Sequence, residues 1–158
     1  MPAVFLILGL VVFFLHWGFQ KTYPKKSLEL LLGYLMFFTL GFTGLGSFVA
    51  HVFYSDRAAA LIGWDVGGSF QFAVGIASLA FGILAILSFW LRGSFLFAAL
   101  LGNSIWLWGD AIGYIRNMMA TGTFVSGNAG VYFWSDIFIP ILIGVVYWLR
   151  ERAKLLSS

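Results

Sequence analysis

Ionisable side chains within long apolar runs are costly there and so mark function or a deliberate structural device. Five residues of this chain fit that description: His16, His51, Asp110, Arg116 and Asp136. Their depths decide what they can do. The two histidines lie near opposite ends of different apolar runs, roughly 15–25 Å apart at the helical rise of about 1.5 Å per residue. They cannot share one metal or one haem. Bis-histidine ligation within one chain finds no support, because neither depth offers a second nitrogen or sulfur donor. A haem held between two copies stays open, and no cofactor is specified.

The other groups gather at one end. His51, Asp56, Arg57 and Asp65 flank one connection, Asp110, Tyr114 and Arg116 fall late in the fourth apolar run, and Asp136 heads the fifth. Asp110 and Tyr114 are one helical turn apart and share a face, which Asn103 and Trp106 continue more deeply. The sequence therefore predicts a buried polar cluster or ligand-binding pocket made of His51, Gln71, Asp110, Tyr114, Arg116, Asn128 and Asp136. Two roles fit it. In one, Asp136 with Arg116, or Asp110 with Arg57, are salt bridges that fix helix register. In the other, the cluster lines a pocket for a small molecule or ion.

No catalytic residue and no metal site is assigned. Ser47 precedes His51 by four residues, but no Gly-x-Ser-x-Gly elbow accompanies it. The opposite half of the runs offers little polarity beyond His16, Ser78 and Ser88, so a complete conduction path is not visible. Pro140 has no N–H, and it can kink the fifth run and free a carbonyl.

Positioning these groups is the work of the apolar runs themselves. Of 158 residues, 61% are hydrophobic, 20% aromatic and only 9% charged, against about 25% charged in soluble domains. There is too little polar surface to coat a water-facing globule, so lipid is the solvent on most faces. The expected fold is an all-α integral membrane bundle of about five transmembrane helices. Its spans are placed near 2–19, 28–54, 67–91, 94–118 and 131–148, in a single domain covering 1–158. The first run is followed by Gln20-Lys21 and no small-residue cleavage site, which predicts a retained helix. A short surface helix is expected around Ala58–Ile62, and a tight break at Arg92-Gly93.

The charge pattern orients the bundle. Lys21, Lys25, Lys26, Arg92, Arg150, Arg152 and Lys154 fall on one side, and Arg57 and Arg116 on the other. By the positive-inside rule the N-terminus faces out and the C-terminus is cytoplasmic. Trp17, Trp90 and Trp148 mark one boundary, and Tyr54, Trp64 and Trp134 the other. The net charge of +3 is dispersed over segment ends, which speaks for topology and against nucleic-acid binding. The absence of cysteine excludes disulfides, thiolate metal sites and cysteine nucleophiles. Glycines recur at helical spacing, Gly68, Gly75 and Gly82 on the third run and Gly102, Gly109 and Gly113 on the fourth. They are expected to serve helix packing, Gly109 and Gly113 as a small-xxx-small pair.

Ile62-Gly63-Trp64, Phe70-Gln71-Phe72 and Gly127-Asn128-Ala129-Gly130, followed by Asp136 and Pro140, resemble a family of small multi-helix bacterial and archaeal membrane proteins of unknown function. His51, Gln71, Asn128 and Asp136 match that pattern. Where the family has a proline and a glutamate around Phe-Gln and a histidine in the fourth helix, this chain has Ser69, Ala73 and Tyr114. The resemblance implies the fold and no activity.

Three functional classes are consistent with these residues. The first is a non-catalytic subunit or self-associating bundle, partnered by lipid and by a second copy or another membrane protein. The second is a binder or transporter of a small molecule or ion through the polar pocket. The third is a quinone- or haem-linked redox protein. The cell (inner) membrane of a prokaryote is the expected location.

Overall fold

The computed structural model describes residues 2–20, 24–64 and 69–156. Among them the chain forms helices α1 (Pro2–Gln20) and α2 (Pro24–Tyr34), a π-helical segment (Leu35–Phe42), then α3 (Thr43–Phe53), α4 (Ser55–Ile62), α5 (Ser69–Leu87), α6 (Ser94–Thr121) and α7 (Val131–Leu155). Helices satisfy every backbone group internally, as a lipid solvent demands. Five stretches are long and apolar enough to cross a membrane: Pro2–Phe19, Lys26–Phe53, Ser69–Leu87, Ser94–Thr121 and Val131–Leu155. The second of these joins α2, the π-helical segment and α3 end to end.

Glycine sets how closely the helices approach. A Cβ built on Gly44 would lie 2.6 Å from the Cα of Gly82, so α3 and α5 touch backbone to backbone, and they form the most extensive helix pair. Gly75 admits Val52 and His51 in the same way, and Gly102 sits against the Phe81 ring. Gly109, by contrast, faces nothing within 4 Å, and Gly113 only touches Trp64 at ordinary van der Waals distance. The tight contact thus falls on Gly44 with Gly82, not on the fourth-run pair. Gly68 lies outside the described residues. Helix α1 packs on the π-helical segment and on α2, where Gly9 meets the Tyr34 carbonyl and Phe38.

The core is a block of Leu32, Leu35, Met36, Leu96, Ile143 and their neighbours at the end of the bundle that carries Glu29. There Arg150 donates through Nη2 to Glu29 Oε1 at 2.8 Å and through Nε to Glu29 Oε2. Arg92 Nε lies 3.6 Å from the same carboxylate. One glutamate on α2 therefore ties α7 and the α5–α6 connection together. Burial pulls the Arg92 guanidinium below its ordinary pKa, and the Glu29 charge pulls it back.

Two connections differ from expectation. Helix α5 ends at Leu87, and the chain turns over residues 88–93, where Ser88 Oγ caps the Ala85 carbonyl at 2.7 Å, in place of a two-residue break at Arg92-Gly93. Helix α7 runs on to Leu155. Arg150 consequently sits inside the bundle at 5% exposure and does not belong to a solvated tail.

The short helix expected around Ala58 is α4. It buries Ala58, Ala59 and Ile62 and ends at Gly63 in the left-handed region, φ 73°, a common helix C-terminus. The connection after α6 docks on α4: Gly127 N–H donates to the Leu61 carbonyl, and Asn117 to that of Gly63.

Candidate functional site

A cavity of about 260 Å³ opens between the π-helical segment, α3, α4, α5, α6 and α7. Its lining follows one helical stretch from Thr39 to Tyr54, about 22 Å at 1.5 Å per residue. That is most of a hydrocarbon core roughly 30 Å thick. Tyr54 and Arg57 are exposed and mark its mouth. Thr39 and Ser78 are buried and mark its floor. Beyond the floor lies the Leu32, Leu35 and Met36 core, so among the described residues the cavity is blind at that end.

The π-helical segment shapes the floor. A π turn widens the helix and shifts side-chain register, and such turns recur at functional sites. It delivers Thr39, while Thr43 follows at the start of α3. The hydroxyls of Thr39, Thr43 and Ser78 are buried and have no hydrogen-bond partner. Hydroxyls in membrane helices ordinarily bond back to their own helix, as Ser104 does to the Leu100 carbonyl at 2.8 Å. Among the described residues, the fully buried hydroxyls of Thr39, Thr43 and Ser78 lack such a bond, and all three residues line the cavity.

Nearer the mouth stand His51, Asp110, Tyr114 and Asp136. Asp136 is 6% exposed and Tyr114 is buried. The imidazole is held from behind: His51 Nδ1 lies 2.6 Å from Gln71 Oε1. A carbonyl oxygen only accepts, so Nδ1 donates in this bond. Gln71 itself is 1% exposed and stands outside the cavity as the residue that orients His51.

Asn103 is fixed similarly. Its Nδ2 donates to the Ala99 carbonyl at 2.9 Å and the Phe81 carbonyl at 3.2 Å, which commits both amide hydrogens and leaves Oδ1 to the cavity it lines. Pro140, buried inside α7, lacks the N–H that would bond to the Asp136 carbonyl.

Of the seven predicted cluster residues, His51, Asp110, Tyr114 and Asp136 meet in the cavity, and Gln71 backs them. Asn128 does not join them. It is fully buried, with Oδ1 accepting from Val125 N–H at 2.9 Å and Nδ2 donating to the Thr123 carbonyl at 3.0 Å, so it holds the connection between α6 and α7 together. Arg116 is exposed and also lies elsewhere. The expected pairs Asp136–Arg116 and Asp110–Arg57 are not formed. Among the described residues the ion pairs all lie at the Glu29 end. Asp65 lies outside the described residues.

Helical periodicity could have suggested Thr39 and Thr43, four apart on one apolar run. Nothing in the sequence announces the π turn between them. Tyr132, also at the cavity, is one turn before Asp136. Glu29 could have been found as the only acid in the second run. His16 makes a separate contact, Nδ1 to Tyr34 hydroxyl at 2.6 Å, far from the cavity.

A bundle of five membrane-length apolar helices around a polar cavity defines a class, that of helical membrane proteins with an internal polar cleft. Within it, the chain belongs to a family of unknown function, DUF6790, whose model matches residues 1–155. No curated protein and no solved structure gives a significant match.

Proposed function

We propose that the protein is a membrane-embedded binding protein, a receptor or carrier for a small polar molecule that enters the cavity beside His51, Asp110 and Asp136. The observation that carries this reading is the contrast between partnered and partnerless hydroxyls. Thr39, Thr43 and Ser78 are buried without a bond where they line the cavity, and a buried polar group without a partner costs about 1–3 kcal/mol. A fold gains nothing from three such groups in one place unless something else bonds to them.

Size supports a small ligand. About 260 Å³ is well above the roughly 10–15 Å³ one water requires, and below the roughly 300–1,000 Å³ of drug-sized sites. The positive-inside bias supports a mouth facing away from the cytoplasm, in a cell membrane. A second reading, a non-catalytic subunit or self-associating bundle, draws support from Gly109 on α6, where a built Cβ meets nothing within 4 Å among the described residues.

Native mass spectrometry of the protein released from a mild detergent separates the two. The binding reading expects a defined small-molecule mass that the Asp136→Asn variant loses. A multimer free of bound small molecules, with variant and wild type alike, contradicts it and supports the subunit reading.

A further inference from the structure

The hydrogen-bonding groups of the cavity are unequal in kind, and this inequality assigns a ligand class. One of its groups, Asn103 Oδ1, is fixed as an acceptor, and His51 is held toward the cavity by its Nδ1 bond to Gln71 Oε1. Asn103 Oδ1 accepts because both Nδ2 hydrogens go to helix carbonyls.

Asp110 and Asp136 add two carboxyl groups that no cation among the described residues pairs. The hydroxyls of Thr39, Thr43 and Ser78 rotate to accept or donate as a ligand requires. The lone guanidinium of the lining is Arg57, which is exposed at the mouth and lies over the Tyr54 ring at 5.9 Å. Aromatic walls complete the chamber with Trp106, Phe81, Tyr114 and Tyr132, and π faces attract cations.

We infer that the cavity takes a small organic cation bearing N–H donors, a primary ammonium or amidinium group, in preference to a neutral or anionic solute. The inference rests on the reading of the cavity as a ligand site. The cation stands at Asp110 and Asp136, its N–H groups reach the two carboxyl groups and Asn103 Oδ1, and any hydroxyl or amine at its far end meets the floor. Multiple N–H donors satisfy several acceptors at once, which a quaternary ammonium cannot do.

The test is a binding titration of the detergent-solubilised protein with four probes of similar size: n-butylammonium, tetramethylammonium, n-butanol and butyrate. The expected result is saturable binding of n-butylammonium, at least tenfold weaker binding of tetramethylammonium, and none of butanol or butyrate. Asp136→Asn is expected to weaken n-butylammonium at least tenfold. Thr39→Val, which leaves the acids in place, is expected to weaken 4-aminobutanol, whose far hydroxyl would sit at the floor, more than n-butylammonium.

Equal or tighter binding of butanol or butyrate overturns the cation assignment and leaves the ligand site standing. Equal binding of tetramethylammonium overturns the N–H requirement. Failure of all four probes on a folded wild-type protein overturns both the inference and the binding reading on which it rests.

Discussion

The two ends of the bundle handle charge in opposite ways. At the Glu29 end, one carboxylate takes Arg150 and approaches Arg92, so the charges there are paired within the chain. At the His51 end, Asp110 and Asp136 face a cavity together with hydroxyls that bond to nothing. Both ends place ionisable groups among apolar helices, where each is expensive. At the first end the chain itself supplies the compensation, so the groups read as structure. At the second it does not, so they read as a site.

The sharpest way to break this comparison is Glu29→Gln. It leaves Arg150, buried at 5% exposure, with Glu151 as its remaining acid, and unties α2 from α7. Removing one member of a buried pair costs about 3–5 kcal/mol, and Glu29 is a third exposed, which points to the lower end of that range. A thermal melt in detergent should show the largest loss of any single variant here. Gly44→Val comes next. Its Cβ would collide with the Gly82 backbone, and overpacking costs about 1–3 kcal/mol, so the melt should drop clearly with α3 and α5 pushed apart.

Gln71→Leu should cost about 1 kcal/mol, the worth of an ordinary hydrogen bond, while freeing the His51 tautomer. The His51 ring resonances in a nitrogen NMR spectrum would report the tautomer change. Thr39→Val sits at the small end. The substitution replaces a partnerless buried hydroxyl by an isosteric methyl, so the unfolding temperature should stay the same or rise. A large loss of stability in Thr39→Val would mean the hydroxyl has a structural bond after all, and the contrast between the ends would fade.

What the sequence made legible, and what it hid, follows the same division. Five membrane-length helices follow from apolar runs that leave no polar coat, and that signal is strong because it is summed over some twenty residues at a time. The meeting of His51, Asp110, Tyr114 and Asp136 was legible because each is an ionisable or polar exception in such a run, and all lie toward the same end.

The pairing of these groups was not legible. Asp136–Arg116 and Asp110–Arg57 look reasonable by charge and depth, yet pairing depends on which way each helix is rotated, and apolar runs that are hydrophobic all round give little rotational information. Arg116 turned outward for that reason. Asn128 looked like a member of the site because it is polar in a connection, when its two hydrogen bonds show it to be the connection's own fastener.

Glycine spacing was informative in part, since Gly75, Gly82 and Gly102 each meet a neighbouring helix. Gly109 and Gly113 have the small-xxx-small pattern, but Gly44 and Gly82 make the close approach, since a notch matters only where a partner helix passes. Arg150 was hidden by its neighbours: Arg150-Glu151-Arg152-Ala153-Lys154 has the look of a solvated tail, and only the position of Glu29 across the bundle draws its first residue inside.

The most direct test of the contrast is the Asp110→Asn, Asp136→Asn double variant, followed by native mass spectrometry with its unfolding temperature measured beside that of Glu29→Gln. If the acids serve a ligand, the double variant stays as stable as wild type or more so and leaves the detergent without the small molecule that wild type carries. If it unfolds as readily as Glu29→Gln, or keeps the same bound mass, the acids at the cavity are structural and the two ends of the bundle are alike.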